Sequence, residues 1–127
     1  MSATDRLAVT VFEDTGATIM ARIYGNAGTA ITQASLSAIV CKVYDLTDNT
    51  LIATRTLTIS AVVFDSLQTS DPRWTQDTTG YNFLDAAPAT CFPSGGRTYR
   101  LEYVFTPASG AAFAMVAEVN TLNLLSS

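Results

Sequence analysis

The chain of 127 residues contains no histidine. That removes the imidazole general base, the Ser-His-Asp and Cys-His arrangements and the commonest zinc ligand. Charge is also scarce. Asp, Glu, Lys and Arg make up 14% of the chain, against roughly 25% in an average soluble protein. The surface must therefore be clothed by Thr, Ser, Ala and Asn. Such a surface suits a plain neutral β-protein, or one walled in by neighbours. Basic residues stand singly at Arg6, Arg22, Lys42, Arg55, Arg73, Arg97 and Arg100. With no basic run to track a phosphate backbone, nucleic acid is not an expected partner. No apolar stretch is long enough to cross a bilayer, so neither is a membrane.

Other absences narrow the chemistry further. The opening MSATDRLAV has no basic region followed by an apolar one, so no leader is expected and folding in a cytoplasm is. Cysteine occurs only at Cys41 and Cys91. The two could pair, but without an export signal free buried thiols are the expectation. Their separation makes no zinc site of usual spacing. Gly95-Gly96 precedes a strand pattern rather than a helix, so it is no phosphate loop. Asp45, Asp48 and Asn49 could hold a hard cation, yet these residue types more often build turns by bonding their own backbone. No metal, no cofactor and no enzyme activity are expected.

What is present is alternation. From Arg97 the chain reads RTYRLEYVF, TPASG, AAFAMVAEV. Tyr99, Leu101, Tyr103 and Phe105 share one parity; Phe113, Met115, Ala117 and Val119 share one on the return. Between them Pro107, Ser109 and Gly110 punctuate a turn. This is a long antiparallel hairpin with one apolar face. Tyr99, Leu101, Tyr103, Phe105, Phe113 and Met115 are its expected core residues. A hairpin alone is marginal in water, so that face needs a second sheet.

The rest of the chain supplies candidates. Strands are expected over Leu7–Phe12, Ala17–Tyr24, Ala38–Tyr44 and Leu51–Ser60, and in the runs beginning at Val62 and Tyr81. Thr32 is expected to cap one short helical turn before Leu36. The polar stretch Ser66–Gly80 reads as the longest irregular segment, and Ala86–Gly96 as a loop. About seven strands at intervals of roughly eight to twelve residues indicate one all-β domain over 1–127, a sandwich or a barrel. Trp74, Tyr81 and Phe83 form an aromatic group around the polar loop. They could stack a sugar or anchor a partner. The alternative is that Trp74 plugs the end of the core, since a long loop needs an anchor.

The runs VVFDSLQTSDPRWTQDTTGYNF, FPSGGRTYRLEYVFTPASG and YGNAGTAITQASLSAI resemble small β-sandwich proteins among the structural genes of tailed bacteriophages and prophages. The segment GGRTYRLEY also resembles the strand entry of immunoglobulin-like and fibronectin-like domains, where a tyrosine makes a corner hydrogen bond. Tyr99 holds that position. No cysteine follows it by two residues, and Trp74 is not on the strand of Cys41. The resemblance thus implies an antiparallel immunoglobulin-like sandwich without the antibody-type core. It further implies a non-enzymatic virion protein, a capsid decoration or a head, tail or baseplate component, made in the bacterial cytoplasm. Its partners would be other capsid or tail proteins and further copies of itself. The alternative is a carbohydrate- or cell-surface-binding module using Trp74, Tyr81 and Phe83. Self-association is expected to involve a terminus, with Met1–Phe12 favoured over Leu122–Ser127 as an arm that adds a strand to a neighbour. The competing possibility is that LAVTVF is an ordinary first strand of its own domain.

Overall fold

Alternating apolar residues build eight strands, which two sheets divide unequally. A computed structural model describes residues 7–26 and 28–125. The larger sheet joins β1 (Leu7–Phe12), β8 (Phe113–Leu122), β7 (Thr98–Pro107), β3 (Leu36–Asp45) and β4 (Thr50–Leu57), in that spatial order. The smaller joins β2 (Ala17–Ala21), β6 (Tyr81–Ala87) and β5 (Val63–Gln68). In chain order these are the strands A, B, C, C′, D, E, F and G of an immunoglobulin-like sandwich. The smaller sheet is B-E-D and the larger carries G-F-C-C′. All pairings are antiparallel except β1 with β8.

The hairpin is in the register its pattern demands. Phe105 faces Phe113, Tyr103 faces Met115 and Leu101 faces Ala117. Tyr99, Leu101, Tyr103, Phe105, Phe113 and Met115 are all buried. Across the sandwich, Phe83 of β6 sets its ring edge-on to Tyr103 at 5.2 Å and to Phe105 at 5.5 Å. Gly110, at φ 97°, makes the turn between the arms, a conformation glycine adopts without steric cost.

The expected corner is present. The Tyr99 hydroxyl accepts from the Ser94 N–H at 3.0 Å and donates to the Ser94 carbonyl at 3.3 Å. Beside it the Thr121 hydroxyl donates to the Ser94 carbonyl at 2.7 Å and accepts from the Arg97 N–H at 3.2 Å. The Glu13 carboxylate accepts from the Gly95 and Leu124 N–H groups, 2.9 Å each. Arg97 pairs with Asp45 at 2.6 Å. This end of the sandwich is thus closed by side chains bonded to backbone.

Several boundaries differ from those expected. The second strand stops at Ala21 rather than Tyr24. There Ile23 bonds a side chain as well as the returning chain: its N–H donates to Asn82 Oδ1 at 2.8 Å, and its carbonyl accepts from Asn82 Nδ2 at 3.0 Å and from the Ile31 N–H at 3.1 Å. Asn82 is itself 1% exposed, so one buried amide stands in for a peptide group. The fourth strand ends at Leu57, and the apolar run behind it turns through a helical segment, α1 (Ile59–Val62), before β5. β5 continues to Gln68, which shortens the irregular stretch to 69–80. The turn capped by Thr32 is a 3-10 segment over Gln33–Ser35, and a second one over Ala89–Cys91 lies inside the expected loop. The largest correction concerns the proposed arm. Leu7–Phe12 runs parallel to β8 within its own sheet, from Leu7 opposite Ala117 to Phe12 opposite Leu122. Val9 and Val11 pack against the core, so this segment belongs to its own domain. The remainder of the expected arm, residues 1–6, lies outside the described residues, as do 126 and 127 at the other terminus.

Candidate functional site

Three regions compete for a functional role: the loop end, the waist between the sheets, and the outer face of the larger sheet. The register places the first. The end of β2 lies beside the start of β6, and the start of β3 beside the end of β7. The segments 22–35, 69–80 and 108–112 therefore emerge at one end, opposite the Tyr99 corner.

Here the aromatic group resolves into separate roles. Phe83 is fully buried between the sheets and Tyr81 is 5% exposed. Phe83 cannot stack a ligand, so a three-ring platform does not form; this corrects the sequence reading. Trp74 is half-buried and tilts over Tyr81 at 5.6 Å between centroids. Its Nε1–H donates to Asp77 at 3.2 Å. Asp77 also accepts from the N–H groups of Thr79 and Gly80 and pairs with Arg22 at 2.8 Å. The hydrogen bond from Arg22 is the main reason that the Asp77 carboxyl is held down to about 2. A Cβ on Gly80 would lie 2.4 Å from the Gln68 carbonyl oxygen, so only glycine lets the two ends of this loop close. A groove of about 350 Å³ separates the segment around Asn26 from the turn around Ser109. Asn26 crosses it to the Ala111 carbonyl at 2.9 Å.

At the waist, Arg55 of β4 reaches across to Asp85 of β6 with two bonds, 2.6 and 2.8 Å. The Tyr103 hydroxyl donates to the same carboxylate at 2.7 Å. The hydrogen bonds that Arg55 makes to Asp85, with the charge attraction between the two, raise Arg55 above its ordinary value. Burial pushes the Tyr103 phenol well up. Cys41 and Cys91 are both free and buried. Burial pushes the Cys41 thiol up to about 12 and raises Cys91 as well. Neither thiol has the exposed, electropositive setting of a nucleophile. A groove of about 410 Å³ opens beside Arg55 and Asp85. The pair joins the two sheets and already satisfies its own charge, which is the chemistry of a clasp.

Asp45 spends its carboxylate on Arg97 and on the Thr47 N–H. Burial raises its carboxyl, and those two bonds outweigh burial and leave it lowered. Asp48 and Asn49 sit in the β3–β4 turn, where Asn49 has φ 57°. Among the described residues, no group of three or more Cys, Asp or Glu is gathered around a metal-sized space. No helix of the described residues is long and apolar enough to cross a membrane.

The outer face of the larger sheet differs from both regions. Along β7 the outward residues are Thr98, Arg100, Glu102, Val104 and Thr106. Val104 is 40% exposed and sits between Val40 of β3 and Ala114 of β8. On the flanks, Leu51 of β4 is 46% exposed, and Phe12 and Leu122, opposite each other on β1 and β8, are each 47% exposed. Four large apolar side chains thus share one outward face. The register spreads them over the face: Val104 is level with Ala114, eight residues along β8 from Leu122, and Leu51 is level with Tyr44 and Arg100.

No protein-family model, no curated protein and no solved structure matches this chain.

Proposed function

We propose that the protein is a non-catalytic assembly module that works by protein–protein contact. The observation that carries this reading is the outer face of the five-stranded sheet, which leaves four large apolar side chains, Phe12, Leu51, Val104 and Leu122, exposed among few charges. Monomers normally keep contiguous exposed apolar surface small. The charges add support. Arg22, Arg55, Arg73, Arg97 and Arg100 are each in an ion pair within the chain. A surface whose arginines, among the described residues, are already neutralised favours shape and apolar contact over capture of an anion. The setting implied by the sequence resemblance is the virion of a tailed phage, as a capsid decoration or a head, tail or baseplate component, with neighbouring virion proteins as partners. Mass spectrometry of purified particles, followed by immunogold electron microscopy, tests the setting. The expected result is the chain at regular positions on the particle. Its absence from washed virions overturns that reading.

A further inference from the structure

We infer that the groove between β4 and β6 takes an extended, uncharged segment of another protein chain, which joins β6 as an added strand. This surface is separate from the outer face of the larger sheet, so the two readings stand or fall apart.

Three observations carry it. The first is a bare edge on a middle strand. β6 lies between β2 and β5. β2 runs beside it as far as Ala87, whereas β5 is level only with Tyr81 and Phe83. Ahead of Val63 the chain is coiled into α1, so it does not continue along β6. From Leu84 to Ala87 no strand lies on that side. Successive residues of a strand turn their N–H and C=O groups to opposite sides. Alternate residues of this stretch therefore offer main-chain donors and acceptors to the groove. Among the described residues, no main-chain bond from a turn or loop reaches them.

The second is the opposite wall, which is also a strand edge. β4 ends the larger sheet, and its Arg55, Thr56 and Leu57 line the same groove of about 410 Å³ as Leu84 and Ala86. Exposed edges are ordinarily blunted by lysine, proline or a bulge. Neither strand contains lysine or proline. The irregularity in the pairing of β4 lies between Leu51 and Ala53, away from the groove. Two unguarded edges thus frame one opening.

The third is charge, and it selects the occupant. Arg55 and Asp85 are the charged residues of the groove, and each is spent on the other. A charged ligand finds no countercharge there. What remains is apolar surface, the hydroxyls of Thr56 and Thr58, and main chain. An extended peptide matches this, because its N–H and C=O groups repeat at the spacing of the strand it joins. About four residues, roughly 13 Å of extended chain, run the length from Leu84 to Ala87.

Selection of a random peptide library displayed on phage against the full chain, with the enriched sequences remade as synthetic peptides, tests the inference. An enriched peptide is expected to slow amide exchange at alternate residues of Leu84–Ala87, read by NMR, since only amides turned to the groove gain a partner. N-methylating the peptide at alternate residues should weaken binding by roughly tenfold or more in one phase and little in the other. Ala61→Trp puts a ring into the groove from an exposed position on α1, so it should remove binding and leave Tm unchanged. If that variant melts early, the N-methyl series decides. The inference is overturned if no peptide is enriched, if binding survives a folded Ala61→Trp, or if neither N-methyl phase matters. A peptide that protects only amides of the larger sheet also overturns it, and leaves the assembly reading of the outer face standing.

Discussion

Two arginine–aspartate pairs in this molecule share their chemistry and differ in their surroundings. Arg55 and Asp85 lie at the waist, with side chains 19% and 2% exposed. Arg22 and Asp77 lie at the loop end, 23% and 36% exposed. The waist pair spans the two sheets, excludes water from its carboxylate and adds a phenol as third partner. The loop-end pair faces solvent, and its aspartate also organises a turn. Contact distance alone therefore says little about consequence. A buried carboxylate without its partner is stranded, whereas an exposed one is rehydrated.

The largest effect should follow from Arg55→Met. It leaves Asp85 charged and buried, and a loss of about 3–5 kcal/mol is expected, read by urea unfolding. Cys41, whose thiol the Arg55 charge draws down and the Asp85 charge pushes up, should then react more slowly with a thiol reagent in the folded state. A variant as stable as wild type would show that water reaches the waist.

Tyr103→Phe comes next. It removes one hydrogen bond to a charged acceptor and keeps the ring against Phe83, so about 1.5–3 kcal/mol is expected. A loss confined to a few tenths would mean that Asp85 is satisfied by Arg55 alone.

The loop end should respond to pH while the waist holds. The Asp77 carboxyl, held down to about 2 mainly by the hydrogen bond from Arg22, sits below its unfolded value near 4. The order it contributes is present above the unfolded value and is lost as pH falls through the folded one. Trp74 is the only tryptophan and bonds Asp77, so its fluorescence reports this alone. Emission should stay constant from pH 7 to about 4 and shift to the red with a midpoint near 2. A midpoint near 4 would dissolve the contrast between the two pairs.

The smallest effect belongs to Arg73→Met. Arg73 pairs with Asp71 at 2.7 Å, and its side chain is 57% exposed. No measurable change in Tm is expected at physiological salt, where screening already weakens such contacts. A clear drop would show that the 69–80 loop is part of the cooperative fold.

Much of the sandwich was legible because its strands alternate cleanly and Thr98–Leu122 dominates the core. The waist pair left a signal that the reading passed over. Asp85 shares its parity with the buried Tyr81 and Phe83, and Arg55 shares its parity with Ala53 and Leu57. Opposite charges at two inward positions imply a pair, but only the fold shows that they meet. Asn82 gave no signal: its parity is outward, and it is buried only because Ile23 needs both of its amide groups. The helical turn at Ile59–Val62 was hidden in an apolar run whose period fits neither strand nor helix. The parallel placement of β1 is a long-range choice that no local pattern encodes. For the same reason the pairing of Phe12 with Leu122 on the outer face could not be seen from the sequence, since only register sets them side by side.

The borrowed amide of Asn82 has an engineering consequence. Because it completes the hydrogen bonds of Ile23, the main chain leaves β2 with its polar groups satisfied before the loop begins. The loop that follows is closed at its base by the Ile31 N–H on the Ile23 carbonyl. Foreign sequence grafted there should be displayed without fraying β6, so long as Ile23 and Asn82 are kept, which makes this loop the natural site for presenting a peptide on the scaffold.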